Sequence, residues 1–242
     1  GMYKMDRLDW AGAERARRRA IDANPGYATA HHWCSLILGY QGRIEEARRE
    51  IELAQSLDPL SLIVVTSVAW PDFYQRNYER ALKQLDRVRK LDPDFPVLHL
   101  ADGFICDAMG RFDEAAKSYR RLQSINPRPW FWLLVARCEY MSGHMDQMID
   151  ALERWCEASA APIASSEFRS AFTKGGKEGL TSRIGELLGV PCPETHSSAA
   201  GMATLFMSMG DHDRAFAWLE AGTDPLTPMV RVLAVDPVWD PL

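Results

Sequence analysis

Apolar positions along the 242 residues fall into helix-length stripes separated by short polar breaks. Between Ala28 and Tyr40, Trp33, Leu36, Ile37 and Tyr40 recur at helical spacing. Gln41-Gly42-Arg43 interrupts the stripe, with a glycine suited to a helix C-terminus. A second stripe follows, in which Ile44, Ala47, Ile51, Ala54 and Leu57 line one face. Glu45 and Arg49 stand one turn apart on its wet side and support it weakly. Asp58-Pro59 ends the stripe, because the ring of a proline pushes the preceding residue out of the α region. The pattern predicts helix, turn, helix, turn.

The same pattern is then repeated. Pro25, Pro59, Pro93 and Pro127, each after Asn or Asp, are 34 residues apart. Ala13, Ala47, Ala81 and Ala115 keep the same interval, and so do Gly42 and Gly110, with Arg76 where a glycine would fall. Small alanines at a fixed point let two helices cross closely at no cost in helix propensity. The period predicts an array over residues 1–157: a partial first unit, then units at about 28–59, 62–93, 96–127 and 129–157. In the last of these Met148 stands where the small alanine is expected. Beyond residue 158 the register is lost. Ser166–Phe172 and Glu178–Leu188 read as helices around TKGGKEG, a further pair is expected at about 197–222, and an irregular tail carries two Asp-Pro breaks. One proline falls off the ruler. Pro71 lies inside a predicted first helix, so a kink or an early helix end is expected near Val68–Trp70.

Period, alanine and proline agree together, and in this they resemble the tetratricopeptide repeat. The family pattern also has a small residue near Gly103 and an aromatic near Tyr119, but its frequent tryptophan is replaced by His31 and Val65. The resemblance implies an all-α fold, a right-handed superhelix (α-solenoid) of antiparallel helix pairs, continuous through residue 242. The segments GDHDRAFAWLEAG and VDPVWDPL, with YATAHHW and LDPLSLI, are similar to the C-terminal repeat regions of bacterial adenylyl cyclases, winged-helix regulators and protein kinases. That likeness implies a regulatory or scaffolding part of a cytoplasmic signalling or transcription protein. A Gly before Met at the start reads as a tag-cleavage scar, and the natural chain is expected to extend further.

Composition narrows the chemistry. A net charge of -5 is a poor match to phosphate backbones, so nucleic acid is not expected as the ligand. The five cysteines are odd in number and scattered without a C-x-x-C pair, which speaks against a disulfide framework or structural zinc. No apolar run approaches the ~20 residues that span a bilayer. TKGGKEG lacks the earlier glycine and the Ser or Thr after lysine that a phosphate loop needs. Adjacent His31 and His32 point about 100° apart on a helix and make no metal pair. Cys34 and Cys106 lie on apolar helices and read as inert buried thiols. Neither a catalytic residue, a cofactor nor a metal is expected.

What remains is a surface. By the resemblance, the first helix of each unit lines a groove. Its residues would be His32, Leu36 and Tyr40; Ile63, Thr66, Trp70 and Phe73; Leu100, Phe104 and Asp107; and Trp130, Leu133, Arg137 and Tyr140. That face is apolar and aromatic and lacks the Lys and Asn of a carboxylate clamp. The expected ligand is a protein or peptide segment with apolar or aromatic anchors. Two other readings stand beside it: an enzyme with a site within residues 158–242, and a structural module that forms homo-oligomers through its exposed ends.

Overall fold

A computed structural model describes residues 10–159, 166–189, 196–222 and 235–240. All regular structure among them is helical. The chain divides into two compact units, residues 1–108 with 225–235 and residues 109–224 with 236–242.

In the first unit the helices are α1 (Trp10–Ala23), α2 (Ala28–Tyr40), α3 (Ile44–Leu57), α4 (Leu62–Ser67), α5 (Ala69–Tyr74), α6 (Tyr78–Leu91) and α7 (Pro96–Ala108). Neighbours in sequence pack as antiparallel partners, and the expected alanines mark the crossings. Ala13 of α1 is buried against Ile37 and Tyr40 of α2. Ala47 of α3 is buried with Cys34 and Leu38 of α2. Ile51 and Ala54 of α3 then meet Val64 of α4 and Val68. Asp58 and Asp92, before their prolines, leave the helical region, Asp92 into an extended backbone, while their N–H groups still close the last helical turn on Ala54 and Val88.

Four of the turns between paired helices are built one way. The N–H of Arg43 donates to the carbonyl of Leu38, and that of Gly42 to Gly39, a Schellman closure around a left-handed residue. The same two bonds recur at Arg76 and Asn77, at Gly143 and His144, and at Gly210 and Asp211. Gly42, Gly110, Gly143 and Gly210 all have φ between 73° and 80°. Arg76, at φ 60°, is the one non-glycine residue with positive φ among the described residues.

The proline off the ruler acts as its chemistry requires. A first helix that would run through Phe73 is split, with α4 ending at Ser67, a turn at Val68, and α5 beginning at Ala69. Pro71 has no N–H to offer the Ser67 carbonyl four residues back. Two hydroxyls reinforce the bend: Thr66 donates to Leu62 at 2.7 Å and Ser67 to Ile63 at 2.8 Å, both on carbonyls of the preceding turn. The split also seats Asp72. Its side chain is wholly buried and lies 3.0 Å from Arg48 of α3 and 3.3 Å from Arg80 of α6.

The second unit holds α8 (Phe112–Ile125), α9 (Phe131–Ser142), α10 (Met145–Ala158), α11 (Ser166–Leu188), α12 (His196–Ser208), α13 (His212–Gly222) and a single 3₁₀ turn, Pro237–Trp239. Ala115, Tyr119 and Leu122 of α8 are buried, as is Met148 of α10, whose flexible chain fills the place of the missing alanine. The helix α11 is broken inside TKGGKEG, where Gly176 leaves the helical region. The last pair closes on the rest of its unit through Trp218, whose indole N–H donates to the Leu188 carbonyl at 2.8 Å. The segments Met2–Met5, ASAAPIASS from Ala160 on, GVPCPETHS between Val190 and Thr195, and the tail before Val235 lie outside the described residues. No helix among the described residues is long and apolar enough to cross a membrane.

Candidate functional site

The groove residues expected in the first unit divide into a support and a face. His32, Thr66, Phe73, Phe104 and Asp107 are buried. Leu36, Tyr40, Trp70 and Leu100 are partly exposed, and Ile63 is 38% exposed. Trp70 is the centre of this face. Its ring meets Phe73 edge-on at 5.7 Å, stacks near Tyr74 at 6.3 Å and lies 6.4 Å from Phe104 of α7. Tyr74 was not among the expected residues. It lies one helical turn after Trp70, beyond the proline, and its ring is admitted by Gly39, where an added side-chain carbon would meet it at 3.0 Å. The result is an aromatic cluster of Trp70, Phe73, Tyr74 and Phe104 in a unit whose polar His32 and Thr66 are buried. Such a face can take an apolar or aromatic side chain, with rings adding to the burial of apolar area.

Beneath that face the polar groups are committed. His32 Nε2 lies 2.9 Å from the Ser67 hydroxyl, and burial pushes the imidazole down to about 4. His31 lies 2.6 Å from Glu50 and 3.0 Å from the Pro25 carbonyl, tying α2 to α3 and to the turn before it. Asp102 is raised by burial although Arg89 lies 2.8 Å away.

In the second unit the four expected residues on and before α9 have a different setting. Trp130 stays partly exposed against Phe131, with ring centroids 4.3 Å apart. Leu133 is fully buried under α12, where a side-chain carbon at Gly201 would meet it at 3.2 Å. Arg137 is buried and paired with Asp236, 2.9 Å away. Tyr140 is buried with the Lys177 ammonium 4.2 Å above its ring. This face of α9 is thus covered by α12, α11 and the described tail. Nothing local to α9 signals this, since Asp236 lies 99 residues from Arg137 in the chain.

The region expected to harbour a rival active site contains an open cleft of about 590 Å³, lined by Glu178, Thr181, Ser182, Met209 and the run from Asp211 to Arg214. His212 and Asp213 are exposed there, and the Arg214 guanidinium is engaged by Asp211. Cys34, Cys106, Cys138 and Cys156 are buried free thiols, and burial pushes Cys34 and Cys156 up to about 11. Cys192 and the side chain of His196 lie outside the described residues. No three His, Cys, Asp or Glu side chains converge as metal ligands would among the described residues.

Comparison with known proteins agrees with the helical-pair fold. Residues 103–129 match the model described as the tetratricopeptide repeat. No curated protein matches the chain significantly. Among solved structures, the chain is similar to PilW, a widely conserved type IV pilus biogenesis factor, at TM-score 0.60 and 15% identity over 95% of this chain and 94% of that one. It is similar to TTC0263, a thermophilic TPR protein in Thermus thermophilus, at TM-score 0.59 and 18% identity over 77% and 93% of the two chains. A tetratricopeptide repeat protein from Parabacteroides merdae matches at TM-score 0.56 and 15% identity over 97% and 95%. These likenesses are of fold: all-α, built of tetratricopeptide-type helix pairs.

Proposed function

We propose that this tetratricopeptide-repeat chain is a protein-interaction scaffold and that its first unit offers the docking face. The observation that supports the reading most directly is the aromatic cluster around Trp70, in a unit that also exposes Ile63 and partly exposes Leu36 and Leu100. Apolar and aromatic groups gathered on a surface mark interfaces. The ligand is a protein or peptide segment with apolar or aromatic anchors, and the chain has no catalytic part in the reading. The sequence likeness to repeat regions behind bacterial cyclase, regulator and kinase domains supports a regulatory role in cytoplasmic signalling or transcription.

The test is recovery of bound protein by the wild-type chain and by an Ile63→Asp, Trp70→Asp variant from the same extract. Folding is checked by circular dichroism. The variant is expected to lose the proteins that the wild type retains. Equal recovery by both, with the variant folded, sinks the docking face.

A further inference from the structure

The described tail of the second unit is held as a ligand is held. Asp236 accepts a hydrogen bond from Arg137 Nη2 at 2.9 Å, and the two side chains are only 11% and 4% exposed. Arg137 is steered from α12 as well: its Nε–H donates to Ser208 Oγ at 3.1 Å, and that hydroxyl donates to the Thr204 carbonyl at 2.9 Å. The same Asp236 oxygen accepts the N–H of Val238 at 3.0 Å and caps the turn Pro237–Trp239. Trp239 then lies edge-on to Phe216 of α13, with ring centroids 6.2 Å apart. A buried cation sets the register, a capped turn sets the conformation, and an aromatic ring supplies the apolar anchor. Charge-assisted pairs with arginine and buried aromatic anchors are the elements that hold peptide segments at recognition surfaces.

We propose that the surface formed by α9, α12 and α13 is a peptide-recognition seat that the chain's own Asp236–Asp240 segment occupies in cis. Its ligand in trans is a segment of another protein carrying a carboxylate and, three residues on, an aromatic ring. The proposal rests on the interaction reading above and deepens it by giving this second surface a ligand chemistry. The tail keeps the seat shut, and a matching segment opens it by exchange. Trp239 favours exchange, because its indole N–H is buried with no hydrogen-bond partner among the described residues. A tail that leaves a donor unsatisfied is held less firmly than its contacts allow. Pro237 and Asp240 stay exposed, so the segment lies on the seat and is not engulfed by it.

A tethered segment acts at an effective concentration on the order of millimolar. Against it, an added peptide with an intrinsic Kd of about 10 μM would bind about a hundredfold more weakly than to an open seat. The experiment uses a fluorescent peptide with the sequence AVDPVWD of residues 234–240, titrated into the full chain and followed by anisotropy. Asp236→Asn and Trp239→Ala chains, each loosening the tail in cis, are expected to bind the peptide at least tenfold more tightly than the wild type. Arg137→Met introduced into either is expected to abolish that gain, as is Asn in place of the peptide's first Asp. Should Asp236→Asn fail to fold, Trp239→Ala carries the test, because it leaves the ion pair intact. Binding to folded variants no tighter than to the wild type overturns the proposal. A wild-type dimer that Asp236→Asn dissolves overturns it too, since the trans occupant would then be a second copy. Loss of the tenfold gain alone, with partner recovery still sensitive to Ile63→Asp and Trp70→Asp, would reject the seat and leave the first unit's docking face standing.

Discussion

His32 Nε2 of α2 lies 2.9 Å from the hydroxyl of Ser67 at the end of α4, and Ser67 spends its own proton on the Ile63 carbonyl. The imidazole is therefore the donor of the pair, neutral and protonated on Nε2.

Stability should follow from that. Burial holds His32 at about 4, against 6.5 for an unperturbed ring. Between those two values the unfolded chain takes up a proton that the native chain refuses, so stability is greatest above pH 6.5 and falls as pH drops through the window. The loss from this group alone is on the order of 3 kcal/mol by about pH 4. Urea unfolding at about pH 7.5, 5.5 and 4.5 should show the fall, and His32→Gln, which keeps a donor, should flatten it. An unchanged slope in the variant would assign the fall to other groups.

Arg76 is the second case. It occupies a left-handed turn position that Gly42 and Gly110 hold elsewhere in the period. A side chain costs about 1 kcal/mol or more in that conformation. Arg76→Gly is expected to raise the unfolding midpoint by an amount equivalent to about 0.5–1 kcal/mol, the glycine's extra freedom when unfolded offsetting part of the relief. A lowered midpoint would mean that the contacts of the Arg76 side chain outweigh its backbone strain.

The Asp72 carboxylate separates two kinds of ion pair. Asp72→Ala strips a buried charge from beside Arg48, itself only 15% exposed, and is expected to cost about 3 kcal/mol or more. Arg80→Ala removes the outer partner, which is 61% exposed, and is expected to cost less than about 1 kcal/mol. Denaturant midpoints of the two variants should therefore differ clearly. Equal losses would contradict the ranking.

The fold was legible where its cause is local. Pro59 and Pro93 end helices through their immediate neighbours, Gly42 supplies a left-handed turn, and Ala47 marks a crossing four residues into its helix. Pro71 was legible too, because a missing N–H acts one turn back. The site was legible only in part. Trp70 and Ile63 were named by the groove positions that the resemblance implies, whereas Tyr74, one turn after Trp70 on α5, fits beside it because Gly39 of α2 carries no side chain. Arg137 was named as groove, yet its partner Asp236 is fixed by packing of distant elements that no periodicity encodes.

The repeated turn has a consequence for how the chain folds. Its bonds, Arg43 to Leu38, Asn77 to Asp72, His144 to Glu139 and Asp211 to Phe206, each close a loop of six residues. Loops that short cost little entropy to form, so separate hairpins can nucleate independently and early. Contacts of long sequence separation come later and more slowly. The ion pair of Arg137 with Asp236 then belongs to the closing events of folding, after the helices that cradle it are in place.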